Sequence, residues 1–190
     1  HSSGKMGVAL ANTAVNLGAS VTLVMGPSAL KTNNSQINQI DVVSAEDMFE
    51  ATTSHFDTAN IAILAAAVAD YKPAQQVNQK IKKKDSSLHI DLVLTKDILA
   101  TLGANKKHQF LVGFALETND EVENAKEKLK RKNLDLIILN SLNDKGAGFK
   151  KDTNKITIID ADTNIKSFPL KDKELVAKDI FTEILNKINA

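Results

Sequence analysis

Residues 61–68 read IAILAAAV, an unbroken apolar run with Asn60 before it and Ala69-Asp70 after it. A strand buried on both faces has no reason to alternate, so this run predicts a strand in the middle of a parallel sheet with helices on either side. Its alanines would also suit a helix, and the order of the neighbouring elements decides for the strand.

Residues 6–17 place Val8, Ala9, Ala11, Ala14, Val15 and Leu17 at helical spacing, with Ser2 or Ser3 as cap and Gly18 as stop. Residues 20–25 (SVTLVM) read as a buried strand ended by Gly26-Pro27. A short strand is expected at 40–43 and a capped helix at 44–53, with Glu46 in its first turn. Further strands are expected at 88–94, 110–116 and 134–139, and helices at 97–102 and 120–132. Residues 155–159 and 165–168 read as a hairpin, and 171–188 as a closing amphipathic helix. Strands alternating with helices predict a three-layer, doubly wound (Rossmann-like) α/β fold, its sheet mostly parallel, with an appended β-hairpin. The whole of 1–190 reads as one domain. Because a helix in such folds follows a strand, a strand and its loop are expected ahead of His1.

With 190 residues, such a domain buries roughly 70% of its unfolded surface. The chain has no cysteine, which excludes disulfides, thiolate metal sites and a cysteine nucleophile. A formal net charge of +1 gives no overall field for nucleic acid or an anionic membrane. No apolar run reaches the ~18–20 residues of a membrane span, and no signal peptide is recognisable, so a cytoplasmic location is expected. The four histidines show no ligand spacing, and no carboxylates cluster, so no protein-built metal cage is expected.

Ligands of doubly wound sheets lie at the carboxyl ends of the strands. Asp70 stands there, behind small alanines that allow a base or ribose to come close to the backbone. A polar stretch then leads to Lys80-Ile81-Lys82-Lys83-Lys84, whose ammonium groups suit a triphosphate. Neither a Walker A loop nor G-x-G-x-x-G is present, and Gln75 rules out a Tyr71-x-x-x-Lys reductase dyad. At the first helix start, Ser2, Ser3 and Gly4 are candidates to hold a phosphate or carboxylate on free amide groups. On the helix at 120–132, Glu127 and Arg131 form the matched i,i+4 pair. Lys128 and Lys132 are left on one face, able to meet an anion.

Taken together, HSSGKMG (1–7), AAAVADY (65–71), KIKKK (80–84), VGFALET (112–118) and RKNLDLIILN (131–140) resemble bacterial phosphopantothenate–cysteine ligase. That family is often fused behind a flavin-dependent decarboxylase in coenzyme A biosynthesis. The resemblance implies that 4'-phosphopantothenate attacks CTP to give an acyl-cytidylate and pyrophosphate, after which L-cysteine displaces CMP, with Mg2+ assisting and a homodimer as the working unit. It implies nucleotide contacts at Leu64, Ala65, Ala66, Asp70, Lys80, Lys96, Asp97, Ile98, Leu99, Phe114, Lys128 and Lys132, with Lys80 as the catalytic stabiliser of charge on the α-phosphate. Thr95-Lys96-Asp97 departs from the family's usual Asn-Pro-Asp, and the family's Gly-rich loop and an Asn used in the second half-reaction would precede His1. The competing readings are a nicotinamide-dependent reductase on the same fold and a non-catalytic nucleotide-binding subunit.

Overall fold

The computed structural model describes residues 3–75, 79, 89–117, 119–141 and 152–189. The elements in chain order are α1 (Lys5–Asn16), β1 (Val21–Met25), β2 (Ile37–Asp41), α2 (Ala45–Phe56), β3 (Ile61–Leu64), β4 (Tyr71–Pro73), β5 (Leu92–Leu94) and α3 (Ile98–Asn105). They continue with β6 (Phe110–Glu117), α4 (Glu121–Arg131), β7 (Leu136–Ser141), β8 (Thr153–Asn154), β9 (Ile156–Asp160), β10 (Ile165–Ser167), β11 (Lys171–Asp172) and α5 (Lys173–Ile188).

The central sheet has the order β10-β9-β7-β6-β3. β3, β6 and β7 run parallel, and β9 and β10 add on antiparallel. In β7, Leu136, Ile137, Ile138 and Leu139 are all nearly inaccessible, so both faces of this strand are core. Each such side chain contributes about 1.5–3 kcal/mol of burial. On one face α1 and α5 supply Leu10, Val176, Ile180 and Ile184 against Val112, Leu136 and Ile138. On the other, α2, α3 and α4 supply Phe56, Leu102 and Leu129 against Leu111, Ile137 and Leu139. The three layers expected from the alternation are therefore present.

Several boundaries differ from the sequence reading. The apolar run stops being a strand at Leu64, the last β3 residue paired to β6; the alanines beyond have weak strand preference and no ladder partner. Of the expected 88–94 strand, residue 88 lies outside the described residues, and within 89–94 the strand is Leu92–Leu94, paired antiparallel with β4 outside the central sheet. The short strand is Ile37–Asp41, earlier than expected, because it pairs in register with the whole of β1. The appended hairpin β9–β10 joins the sheet at the β7 edge and extends it antiparallel. Residues 171–172 form β11 rather than the first turn of α5, pairing with β8. Ser44 caps α2 in a reciprocal capping box with Asp47. The α1 cap is Gly4 at φ 78°, with no side-chain cap from a serine. Gly18 ends α1 at φ 87°, the left-handed stop that glycine adopts without strain. β1 and β2 form a pair of their own, and α1 packs against them as well as against the central sheet.

Gly103 sets the spacing of α3 from the end of α4. A Cβ there would lie 1.9 Å from the carbonyl oxygen of Lys132. Asn133, at φ 51°, closes the joint by donating from Nδ2 to the Gly103 carbonyl at 2.9 Å. Gly103→Ala forces backbone apart from backbone and is expected to cost at least about 2 kcal/mol. Urea unfolding monitored by circular dichroism measures it, with the midpoint falling and the slope unchanged.

Candidate functional site

β3 ends at Leu64, opposite Gly113 of β6, so Ala65 and Ala66 emerge beside Phe114. Gly113 has no side chain, and Leu99 fills the space: a Cβ there would lie 2.9 Å from Leu99 Cδ2. Ile98 and Leu99 are accordingly buried in the core. What α3 can offer a ligand at these positions is main chain, the amides of a first helical turn. Asp97 caps that turn by accepting from Ala100 N–H at 2.9 Å.

Lys132 Nζ lies 2.8 Å from Asp97 Oδ2, and Lys128 Nζ donates to the Phe114 carbonyl at 2.9 Å. The two lysines, expected on one face and able to meet an anion, are thus both engaged within the protein. Beyond the last β3–β6 pair, the Phe114 carbonyl lacks a strand partner on that side, and Lys128 supplies the donor. An ammonium has three N–H bonds, so this contact leaves it able to meet an anion. Burial pushes Lys128 below the ordinary lysine pKa, and the neighbouring Lys132 charge pushes the same way. Burial pushes the Asp97 carboxyl up, but the hydrogen bonds from Lys132 and Ala100 outweigh it and hold the group below the usual aspartate range. On α4 itself Lys126 pairs with Glu123 at 2.9 Å, and among the described residues the expected pair Glu127 and Arg131 forms no salt bridge.

Asp70 is tied into the same edge through its backbone. Thr95 N–H donates to the Asp70 carbonyl at 2.9 Å, and Thr95 Oγ1 donates to the Ala69 carbonyl at 2.6 Å. Glu46, at the start of α2, then holds both segments: Lys72 at 3.2 Å and Lys96 at 2.5 Å. Lys96 also stands 4.6 Å above the Phe49 ring. Its ammonium is therefore turned toward α2. These lysine contacts hold the Glu46 carboxyl below its ordinary range, Lys96 first and Lys72 second.

The structure thus gathers Ala65, Asp70, Lys96, Asp97, Phe114, Lys128 and Lys132 along one edge. Ser3 and Gly4 lie at the start of α1, where Ser28 Oγ donates to the Ser3 carbonyl at 2.9 Å and a Cβ on Gly4 would lie 2.6 Å from Met25 Cε. Lys5 pairs with Asp152 at 2.5 Å, and burial, with Lys5 second, pushes nearby Lys173 below the ordinary lysine range. Lys80 and Ser2 lie outside the described residues. Glu46 escaped the sequence reading because an acid in a first helical turn is unremarkable and its partners lie 26 and 50 residues away.

Residues 1–188 match the DNA/pantothenate metabolism flavoprotein C-terminal domain family. The chain belongs to this family. A cysteine/cysteine sulfinic acid decarboxylase from an unknown prokaryotic organism is 54% identical over all of this chain and 53% of its own length. The coenzyme A biosynthesis bifunctional protein CoaBC of Bacillus subtilis is 46% identical over 96% of this chain and 45% of its own. The crystal structure of a CoaBC C-terminal domain superposes with TM-score 0.81 at 39% identity, covering 99% of this chain and 84% of that one. The chain spans about half the length of the curated relatives it matches. Membership of the CoaBC-type family does not favour the reductase or the non-catalytic reading. Among the described residues, no helix is long and apolar enough to cross a membrane.

Asp97→Ala removes both the cap and the partner of Lys132, and is expected to cost about 1 kcal/mol at pH 7. Because the folded carboxyl titrates below its unfolded value, its contribution is present above about pH 4 and is lost as pH falls through the folded pKa. The stability gap between wild type and Asp97→Ala should therefore narrow on acidification, as read from denaturation midpoints across a pH series.

Proposed function

We propose that this domain is a cytoplasmic ligase that joins 4'-phosphopantothenate to L-cysteine at the expense of CTP. An oxygen of the acid's carboxylate attacks the α-phosphorus, and pyrophosphate leaves. The cysteine amine then attacks the acyl carbon, loses a proton, and CMP leaves. The observation that carries this reading is the pair Lys128 and Lys132, held at the Phe114 carbonyl and at Asp97, at the carboxyl edge of a CoaBC-family sheet where β3 ends before the small Ala65 and Ala66. Small residues admit a nucleoside, and partly dehydrated ammonium groups stabilise phosphate charge more than solvated ones. Asp70 and the α3 start with Lys96, Asp97, Ile98 and Leu99 complete the nucleotide side, and Ser2, Ser3 and Gly4 the acid side. Lys80 stabilises the charge that develops on the α-phosphate.

Among the described residues, no group of three or more His, Asp or Glu could hold a metal. The groups lining the edge are largely cationic and do not fit a protein-built magnesium site; Mg2+ belongs with the triphosphate as part of the substrate. Family membership and the half-length coverage support fusion to a flavin-dependent decarboxylase. The net charge gives no reason to expect nucleic-acid binding.

The protein supplied with CTP, 4'-phosphopantothenate, L-cysteine and Mg2+ is expected to release CMP and pyrophosphate; absence of CMP would sink the reading. Lys80→Gln should fold normally and slow acyl-cytidylate formation by about 10²–10³-fold. An undiminished rate removes Lys80 from the chemistry.

The working unit is a homodimer. In the β4–β5 pair, Tyr71 faces Leu94 and Pro73 faces Leu92, all on one exposed side, while Lys72 on the other reaches Glu46. A two-stranded ribbon with one bare apolar side is marginal in water, and pairing with its own copy covers that side in a closed, symmetric contact. Leu92→Asp with Leu94→Asp is expected to convert the dimer to monomer in sedimentation velocity, with the core fold retained. A monomeric wild type would rule this interface out.

A further inference from the structure

Asn140 sits near the carboxyl end of β7, in the strand that is otherwise most completely buried. Its side chain lies on the α1 and α5 face, because Leu136 and Ile138, four and two positions earlier, belong to the cluster on that face. Its register neighbours are Leu116 of β6 and Ile156 of β9, so its flanks are apolar. Ile156 is 1% exposed. The Oδ1 atom of Asn140 is buried without a hydrogen-bond partner, and among the described residues no other side-chain nitrogen or oxygen is in that position.

A stranded amide carbonyl destabilises a fold that holds it, and such groups are rare enough to require a cause. An apolar residue of the same size would serve packing better. The position supplies the cause. Phe114, the register partner of Ile138, is on the same face and at the same edge, and its carbonyl holds Lys128. Met6 of α1 packs against this cluster and meets Asn154, two residues before Ile156. The corner containing Asn140 thus adjoins the strand end whose carbonyl holds Lys128 on one side and the α1 start that carries Ser3 and Gly4 on the other.

We infer that Asn140 is a substrate-reading residue, its Oδ1 accepting a hydrogen bond from a hydroxyl or secondary-amide N–H of the acid that is activated. This rests on the ligase reading. An amide oxygen at neutral pH takes no proton, so Asn140 orients the acid and leaves the chemistry to other groups. In a dry corner, a missing donor is discriminated more strongly than at the surface, because the acceptor is then left unpaired.

The test compares wild type with Asn140→Leu in the first half-reaction, measured as pyrophosphate released from CTP and 4'-phosphopantothenate without cysteine. The expected result is a KM for the acid raised about tenfold to a hundredfold, an unchanged Kd for CTP, and an unchanged pH profile. The ligand-free variant should also melt a few degrees higher, since the stranded carbonyl is gone. An analogue of the acid lacking the donor group should be disfavoured by wild type and no longer disfavoured by the variant. An unchanged acid KM in a working enzyme overturns the assignment, as does a variant that weakens acid and CTP alike and melts lower, which marks a structural role. A wild-type protein that releases no pyrophosphate ends the ligase reading and the assignment with it.

Discussion

The dryness of β6 and β7 governs the rest of the molecule. Apart from half-buried Phe114, both strands have almost no exposed surface along their middle residues, so the main-chain polar groups there must be satisfied within the protein. That forces straight, in-register pairing from Val112↔Leu136 to Glu117↔Ser141. It also forces the irregular chain to the strand ends. Where β3 drops out of the ladder one residue before Phe114, the freed carbonyl needs a donor, and Lys128 meets the need. The charged edge is thus a direct consequence of where a strand stops inside an apolar sheet.

Two kinds of restraint hold that edge. Toward α3 and α4 it is steric: Gly103 against the Lys132 carbonyl, and Leu99 over Gly113, set backbone distances that tolerate little change. Toward α2 it is electrostatic, with Glu46 holding Lys72 and Lys96. The steric side fixes Asp97 and, through it, Lys132. The electrostatic side fixes the segment around Asp70. A nucleotide seated between them would touch one wall that scarcely moves and one wall whose hold on α2 runs through the Glu46 ion pairs.

The sheet and its layers were legible in sequence because burial leaves a local trace. The apolar runs 110–116 and 134–139 and the helix spacing of 6–17 needed no knowledge of distant residues. The errors came where pairing is non-local. Residues 65–68 are as apolar as β3, yet only a ladder partner makes a strand, and the β6 pairing ends at Gly113. Residues 88–94 read as an alternating sheet strand, yet 92–94 pair with 71–73 in a ribbon of their own. Of the site, Asp70 and the family blocks could be read from position, and Lys128 and Lys132 from resemblance. That Lys128 is engaged by a main-chain carbonyl could not be read, since nothing in a helix's charge pattern says which strand end lies beneath it. Glu46 gave no signal for the same reason.

The Glu46 contacts also differ from the core in their response to the medium. All three side chains keep substantial solvent access. Their attraction is therefore screened by mobile ions, with a Debye length of about 8 Å at physiological ionic strength. Burial in β6 and β7 is not weakened in that way. Rising salt would loosen the hold of α2 on the segments around Asp70 and Lys96 while the sheet beneath stays intact. The salt sensitivity of this domain would then lie in the order of one wall of its ligand edge, with no change in whether it folds.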